Sequence, residues 1–455
     1  MLRPVIAIVG RPNVGKSTLF NRLVGQRRSL VRDTPGVTRD RLYGTTAFGG
    51  WQATVVDTGG FEPSPRSGLV AAIRKQVLAA IEEADLLVLV VDARAGVTAL
   101  DEDIARVLRK SRRPVLVAAN KVDDGTQEAA VGECHRLGLE PVLPVSAEHG
   151  RGVAELLEAF RAAAPAPVPD PPVPGVRVAI IGRPNVGKSS LVNAVLGHER
   201  VLVHELPGTT RDAVDTPVSF GDRDYVLIDT AGIRKKGRVS ETLEKLSVVM
   251  ALRSLERAEV AVLVLDASEG IHAQDAHIAG YAADAGRAVV VAVNKWDLVP
   301  PGLVPKADVV GQVYDRLPFL DHAPVCFLSA VRREGIRELF LDIDRVAVQA
   351  RQRVEASEVL TVLRQAVERR PASVGGVPLR IHSARQVGVT PPTFALRISL
   401  PAAPHFSYQR YLANSLRRAF GFEGSPLRLL FRASVSRGRG GRTPDGRRRP
   451  ARPAR

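Results

Sequence analysis

Two nine-residue strings carry the most chemistry in this chain. Gly10-Arg11-Pro12-Asn13-Val14-Gly15-Lys16-Ser17-Thr18 recurs almost letter for letter as Gly182-Arg183-Pro184-Asn185-Val186-Gly187-Lys188-Ser189-Ser190. Each fits the pattern Gly-x-x-x-x-Gly-Lys-[Ser/Thr]. Each follows an apolar run (Val5 to Val9; Val178 to Ile181) and precedes a helical pattern (Leu19, Phe20, Leu23; Leu191, Val192, Val195). A strand therefore delivers a Gly-rich turn to a helix N-terminus, which is an anion site. The glycines let successive N–H groups converge on phosphate oxygens, and the helix end adds partial positive charge. In such a loop Lys16 or Lys188 reaches the β and γ phosphates, and the Ser17 or Ser189 hydroxyl meets Mg²⁺.

The base is specified further along the chain. A carboxylate at Asp123 in Asn120-Lys121-Val122-Asp123, or at Asp297 in Asn294-Lys295-Trp296-Asp297, can accept parallel hydrogen bonds from N1–H and the exocyclic amine of guanine. Adenine lacks that donor pair, and an unpaired buried carboxylate costs several kcal/mol. The reading is a guanine nucleotide. Lysine usage agrees: the chain has 10 Lys against 54 Arg, and four of those ten are Lys16, Lys121, Lys188 and Lys295.

Other short strings fall into the same register. At an offset of 172, Thr38 maps onto Thr210, and Asp57-Thr58-Gly59-Gly60 maps onto Asp229-Thr230-Ala231-Gly232. The offset slips to 174 at the Asn-Lys-x-Asp strings and to 183 where Ser146-Ala147 meets Ser329-Ala330. One domain has been duplicated.

Short β-rich runs alternate with helical patterns in each copy, which predicts an α/β fold: two tandem phosphate-loop domains, each a mostly parallel sheet with helices on both faces. Leu86 to Val91, Val115 to Ala119 and Val142 to Val145 read as strands, with Val260 to Leu265, Ala288 to Val293 and Val325 to Leu328 as their counterparts. Domain one spans 1–161 and domain two 176–350. Between them, 162–175 is a Pro-rich spacer that excludes helix and gives the halves freedom to take different positions. The second half carries nine extra residues between its Asn-Lys-x-Asp and Ser-Ala strings. It also has Arg234, Lys235, Lys236 and Arg238 after Asp229, either a solvated charge run or a phosphate-contacting loop.

From about residue 355 the pattern changes to a small α+β domain, assigned to 351–435. It reads as a helix around Val359 to Val367, strands at Leu379 to Ala384 and Phe394 to Leu400, a helix at Ser407 to Arg418, and a strand at Leu427 to Phe431. Residues 436–455 form a basic tail, expected to be disordered. Charge divides at the same place. The chain is +16 overall, yet residues 345–455 hold 22 Arg, no Lys and 5 acidic residues, so the excess positive charge lies in the C-terminal quarter. A polyanion is the expected partner there, with a merely solubilising tail as the alternative.

Composition excludes several classes. At 455 residues the chain is too long for one core, and 45% apolar content suits a globular protein. No signal pattern and no bilayer-length apolar run are present, so a cytoplasmic protein is expected. Cys134 and Cys326 show no metal-ligand spacing and are assigned no function, and His135 reads as helix surface.

This motif set resembles the translation-factor-related GTPases. Two copies followed by a basic α+β domain resemble the bacterial tandem GTPase family called Der or EngA, over about residues 3 to 435. Gln386-Val387-Gly388-Val389-Thr390-Pro391-Pro392-Thr393-Phe394 and Ser407-Tyr408-Gln409-Arg410-Tyr411-Leu412 resemble that family's C-terminal signature, which implies a KH-like fold. The resemblance implies GTP hydrolysis to GDP and a role in assembly of the large ribosomal subunit, with ribosomal RNA as partner and the protein a monomer. It implies that Thr38 and Thr210 bind Mg²⁺ and the γ-phosphate, that Asp57 and Asp229 hold the Mg²⁺ shell, and that Asn13 and Asn185 help bind K⁺. Phe61 and Ile233 stand where Ras-like enzymes carry a water-positioning glutamine. Slow hydrolysis stimulated by K⁺ is therefore expected.

A KH fold usually clamps RNA with a Gly-x-x-Gly loop, a spacing that Gly375-Gly376 lacks and that only Gly421-Phe422-Glu423-Gly424 meets between residues 355 and 435. Folded RNA held through its phosphates is the expectation instead. Two other classes remain: a GTP-dependent partner in tRNA modification, and an RNA-binding scaffold with one or both sites silent.

Overall fold

The computed structural model describes residues 3–25, 43–58, 84–124, 128–164, 174–203, 215–230, 251–300, 302–374 and 376–433, with scattered positions between 73 and 81. Two compact units result: Met1–Arg351 with Phe422–Pro426, and Gln352–Gly421 with Leu427–Arg455. Most of the Pro-rich spacer, the loop with Arg234 to Arg238 and the basic tail lie outside the described residues.

The first unit contains two sheets. The first has the order β2-β3-β1-β4-β5-β6, from β1 (Val5–Val9), β2 (Tyr43–Phe48), β3 (Trp51–Asp57), β4 (Leu86–Asp92), β5 (Val115–Asn120) and β6 (Val142–Pro144). Only β2 runs antiparallel. The strands read as near-continuous apolar runs because both faces are covered. Ile6, Ile8, Leu86, Val88 and Val90 pack with Leu19 and Leu23 of α1 (Lys16–Val24) on one side. Ala7, Val9, Leu87, Leu89 and Val91 pack with Ile104 and Leu108 of α2 (Ala99–Arg109) on the other.

The second sheet repeats this plan with the order β13-β12-β11-β7-β10-β9-β8. Its parallel part is β7 (Val176–Ile181), β10 (Arg223–Ile228), β11 (Val260–Asp266), β12 (Ala288–Asn294) and β13 (Val325–Phe327). β9 (Thr216–Phe220) and the three-residue β8 (Val201–Val203) add antiparallel strands at one edge; in the first half the residues that match β8 lie outside the described ones. α3 (Lys188–Leu196) follows the second phosphate loop. The nine extra residues accompany α5 (Lys306–Arg316), which comes after α4 (Ala273–Asp284).

The halves touch through residues 251–257. Leu252 packs on the first half's core, Arg253 pairs with Asp85 at 2.9 Å, and Glu256 accepts from the Arg3 N–H and the Thr54 hydroxyl, each at 3.1 Å. Residues Phe422–Pro426 seal the start of β12. The Val289 N–H donates to the Gly424 carbonyl and the Gly424 N–H to the His322 carbonyl, both at 2.7 Å.

The second unit is a three-stranded sheet, β16 (Ile381–Val389), β17 (Pro392–Ile398) and β18 (Arg428–Ala433), with β16 antiparallel and β18 parallel to β17. A short hairpin, β14 (Ser373–Val374) and β15 (Val377–Pro378), precedes it. α6 (Ala356–Arg369) packs on β16, and α7 (Phe406–Phe420) packs on α6 and β18. Val359, Leu363, Leu412 and Leu416 are buried with Phe394, Leu396 and Ile398. The predicted elements are present, but β16 runs past Ala384 to Val389, because the Gln386 to Phe394 stretch pairs with itself as a hairpin.

Among the described residues, no helix is long and apolar enough to cross a membrane. Cys134 and Cys326 are buried free thiols, pushed up to about 11 and about 12 by burial, so both are poor nucleophiles.

Candidate functional site

Each sheet ends its parallel strands at one edge, and the motif residues sit there. Asp57, Asp92 and Asn120 close β3, β4 and β5, while Asp266 and Asn294 close β11 and β12. The loop at Gly10 leaves β1 with φ +149 and passes Asn13 at φ +64. It reaches Gly15 at φ +93, which caps α1; Gly182, Asn185 and Gly187 repeat these values as +151, +64 and +93. A Cβ at Gly10 would lie 2.5 Å from the Val90 carbonyl, and one at Gly15 2.3 Å from Asn120 Nδ2. In the second half the corresponding distances are 2.6 Å to Val264 O and 2.3 Å to Asn294 Nδ2. Both loops are cradles that a side chain would fill.

The lysines curl into these cradles. Lys16 Nζ donates to the Arg11 carbonyl at 2.7 Å, and Lys188 Nζ to the Gly182 and Arg183 carbonyls at 2.7 Å. Burial pulls Lys16 below the usual ammonium range, and Arg11 adds to this, while Asp57 and Asp101 oppose it. An anionic ligand would meet a cation that is short of compensating charge. Ser17 and Thr18 are exposed at the start of α1; Ser189 is half-buried and Ser190 exposed at the start of α3.

Asn120 binds the motifs together. Its Nδ2 donates to the Val14 carbonyl at 2.8 Å, and its Oδ1 accepts from the Ala147 N–H at 3.0 Å. Asn294 makes the same two bonds to Val186 (2.9 Å) and Ala330 (3.0 Å). Lys121 Nζ reaches Asp92 at 2.6 Å and the Asn13 carbonyl at 3.2 Å, and Lys295 pairs with Asp266 at 2.5 Å. Both lysines adopt the left-handed backbone, at φ +69 and +61. Burial opposes ionisation of Asp92 and Asp266, but the lysine bonds and neighbouring backbone N–H groups outweigh it and hold both carboxyls below their usual range.

Asp123 Oδ1 accepts from the Ser146 hydroxyl at 2.7 Å, and Ser146 also accepts the His149 N–H at 3.2 Å. Ser329 repeats the latter with Arg332 at 3.2 Å, and Asp297 is half-buried in the turn after Lys295. Asp57 is buried at the end of β3, next to Thr58, whose hydroxyl donates to the Ile8 carbonyl at 2.7 Å. The second half departs here. Asp229 has φ +56, its N–H donates to Asp215 at 3.1 Å, and Thr230 bonds Thr216 at 2.7 Å. Thr38, Gly60, Phe61, Thr210, Gly232 and Ile233 lie outside the described residues.

Three features escaped the sequence reading. Arg11 and Arg183 tie each phosphate loop to a wholly buried carboxylate, Asp101 at 3.1 Å and Asp275 at 3.3 Å, which also caps the neighbouring helix. Both arginines and both aspartates keep the duplication's spacing, which was the available signal. Asp92 and Asp266 were also missed, although each ends an apolar run at matching positions. The third feature is Arg94, which engages the Asp123 carboxylate and donates to the Lys121 carbonyl at 3.1 Å, whereas Ser268 occupies the corresponding place in the second half.

Comparison with known proteins agrees with this geometry. A family model described as 50S ribosome-binding GTPase matches residues 5–121 and 177–295, and one described as the KH-domain-like C-terminal domain of EngA bacterial GTPase enzymes matches 353–432. A GTPase Der from Moorella thermoacetica is 49% identical over 438 residues, covering 96% of this chain and 100% of its own. The chain belongs to the GTPase Der family. A second member, from Syntrophotalea carbinolica, is 46% identical over 431 residues, with 94% and 98% covered. Among solved structures, the FeoB G-domain from Methanococcus jannaschii is 29% identical, covers 36% of this chain and 98% of its own, and has a TM-score of 0.28. The chain is thus a GTPase with two phosphate-loop domains and a KH-like domain, and it hydrolyses GTP to GDP and phosphate.

Proposed function

We propose that this GTPase is a molecular switch in assembly of the large ribosomal subunit, with its KH-like domain binding ribosomal RNA. The observation that carries the reading is the join of two phosphate-loop domains, each with its Asn-Lys-x-Asp asparagine bonded to the loop, to an arginine-rich, lysine-free domain. Its belonging to a family with a 50S ribosome-binding GTPase model supports it. The protein acts as a cytoplasmic monomer in this proposal.

In this proposal the residue roles are those the motifs imply, and the geometry of the described residues supports them. Backbone N–H groups of Val14 to Thr18, and of Val186 to Ser190, face the phosphates with Lys16 and Lys188. Asp123 and Asp297 receive guanine, while Ser146-Ala147 and Ser329-Ala330 support that loop. Ser17 and Asp57, and Ser189 and Asp229, are suited to hold Mg²⁺: hydroxyls at a helix N-terminus and carboxylates at a strand end are the hard oxygen donors this ion takes. When bound, the ion neutralises charge on the phosphates. Thr38 and Thr210 complete each shell when the γ-phosphate is present. Their release on hydrolysis makes the loop report nucleotide state.

Asn13 and Asn185 are exposed and are held in the left-handed conformation that Asn tolerates better than other side-chain-bearing residues. In this proposal their side chains help hold K⁺, which would supply positive charge near the phosphates. Turnover should be faster in K⁺ than in Na⁺, and equal rates would remove this part of the proposal.

The deciding experiment is co-sedimentation with ribosomal subunits in GDP and in a non-hydrolysable GTP analogue. Nucleotide-dependent association with the large subunit is expected. No association at low salt in either state overturns the assembly role. Lys16→Ala and Lys188→Ala, assayed singly, test whether either half is silent.

A further inference from the structure

The sheet of the second unit has one face that its core does not use. Phe394, Leu396 and Ile398 of β17 are buried with Ala384 and Leu429. By alternation, Thr393, Ala395 and Arg397 lie on the opposite face. Register places Ser383 beside Arg397 and Arg385 beside Ala395 in β16. It also places Arg428, Leu430 and Arg432 of β18 beside Thr393, Ala395 and Arg397. Four arginines therefore share this face, and Arg385, Arg397 and Arg432 are exposed.

Among the described residues, the strands supply no countercharge to Arg385, Arg397 or Arg432. None of the three strands contains Asp or Glu. Among the described residues, no ion pair involves Arg385, Arg397 or Arg432, although arginines elsewhere are paired, as Arg345 is with Asp342 and Glu423. Arg397 and Arg432 are direct cross-strand partners on strands about 4.8 Å apart. Like charges so placed destabilise a sheet. Ser383, Thr393 and Ala395 are small, so a chain of phosphates can approach the backbone between the longer side chains. The guanidinium fork matches phosphate oxygens in geometry.

We infer that this open sheet face, through Arg385, Arg397, Arg428 and Arg432, is a docking surface for the phosphate backbone of RNA. The inference rests on the RNA-binding reading above and gives it a location on the side of the sheet away from α6 and α7. The bound backbone neutralises the Arg397–Arg432 repulsion, so binding is driven by charge and is indifferent to base identity.

The test is filter binding of the full chain to deproteinised large-subunit ribosomal RNA between about 50 and 200 mM salt. Arg397→Gln/Arg432→Gln should weaken binding about tenfold and reduce the slope of log affinity against log salt by about 1.5–2. Arg397→Lys/Arg432→Lys should keep most of the slope, and GTP turnover should be unchanged in both variants, which controls for folding. If the Gln pair keeps the parent slope, the sheet face is not the surface, even if deletion of 436–455 abolishes binding; RNA binding itself would survive that result. If the parent chain does not bind this RNA at all, the RNA-binding reading fails and takes this inference with it.

Discussion

Gly15→Ala and Gly187→Ala probe the coupling between phosphate cradle and base-recognition loop. At φ +93 an alanine sits in the left-handed region, at a cost of about 1–2 kcal/mol. Its Cβ would also lie 2.3 Å from Nδ2 of Asn120 or Asn294, so the amide must move. That breaks its bonds to Val14 and Ala147, or to Val186 and Ala330, all buried, and each orphaned group costs about 1–3 kcal/mol. Partial relaxation leaves about 4 kcal/mol, or about a thousandfold in nucleotide affinity if the cost falls on the bound loop. Titration with a fluorescent GDP analogue should show two sites in the parent and one in either variant. Gly50→Ala supplies the control, because Gly50 has φ +84 but nothing within 4 Å of its Cβ. It should lower stability by about 1–2 kcal/mol and leave both sites intact. Two sites of unchanged affinity in Gly15→Ala would refute the reasoning.

The depressed pKa of Lys16 means that the folded, nucleotide-free protein binds fewer protons than the unfolded chain between that pKa and 10.5, so stability rises with pH through this window. Bound phosphate reverses the shift, and calorimetry in alkaline buffers of different ionisation enthalpy should show proton uptake on GDP binding; its absence would count against Lys16 as the phosphate ligand. Arg183→Ala strands the wholly buried Asp275 and should destabilise the protein by about 3 kcal/mol in urea unfolding. Burial already raises the Asp275 pKa, and stability from a raised carboxyl is lost as pH rises through it, so the deficit should be smallest in acid. Glu256, raised by burial, should likewise hold the two halves together best below its unfolded pKa of 4.5 and progressively less as pH rises through its raised value. Hydrogen exchange at β3 should follow that pH dependence in the parent and lose it in Glu256→Gln.

Much of this was legible because the duplication acted as an internal control. Among the described residues, the phosphate-loop, Asn-Lys-x-Asp and Ser-Ala strings that kept their order across both copies are ones the fold brings together, and apolar runs marked the strands because parallel strands are buried on both faces. Contacts between distant strings were not legible. Nothing in the sequence of Arg11 or Asp101 says that they meet, and each alone reads as an ordinary loop cation and an ordinary capping acid. β8 was missed because three residues carry no period, and β16 was cut short because Gly388 interrupts its alternation.

Identical motifs also conceal unequal sites. Both halves carry Asn-Lys-x-Asp, but in the first half Arg94 holds the carboxylate proposed to receive guanine, and in the second the corresponding Ser268 turns back to Asp266 at 2.6 Å. Under the proposed roles, guanine entering the first site must displace or share a charge-assisted contact, whereas among the described residues no arginine holds Asp297 in the second. Arg94→Ser should therefore bring the first site's affinity for GDP closer to the second's. If the sites bind equally before that change, the Arg94 contact is one that solvent already replaces at no cost.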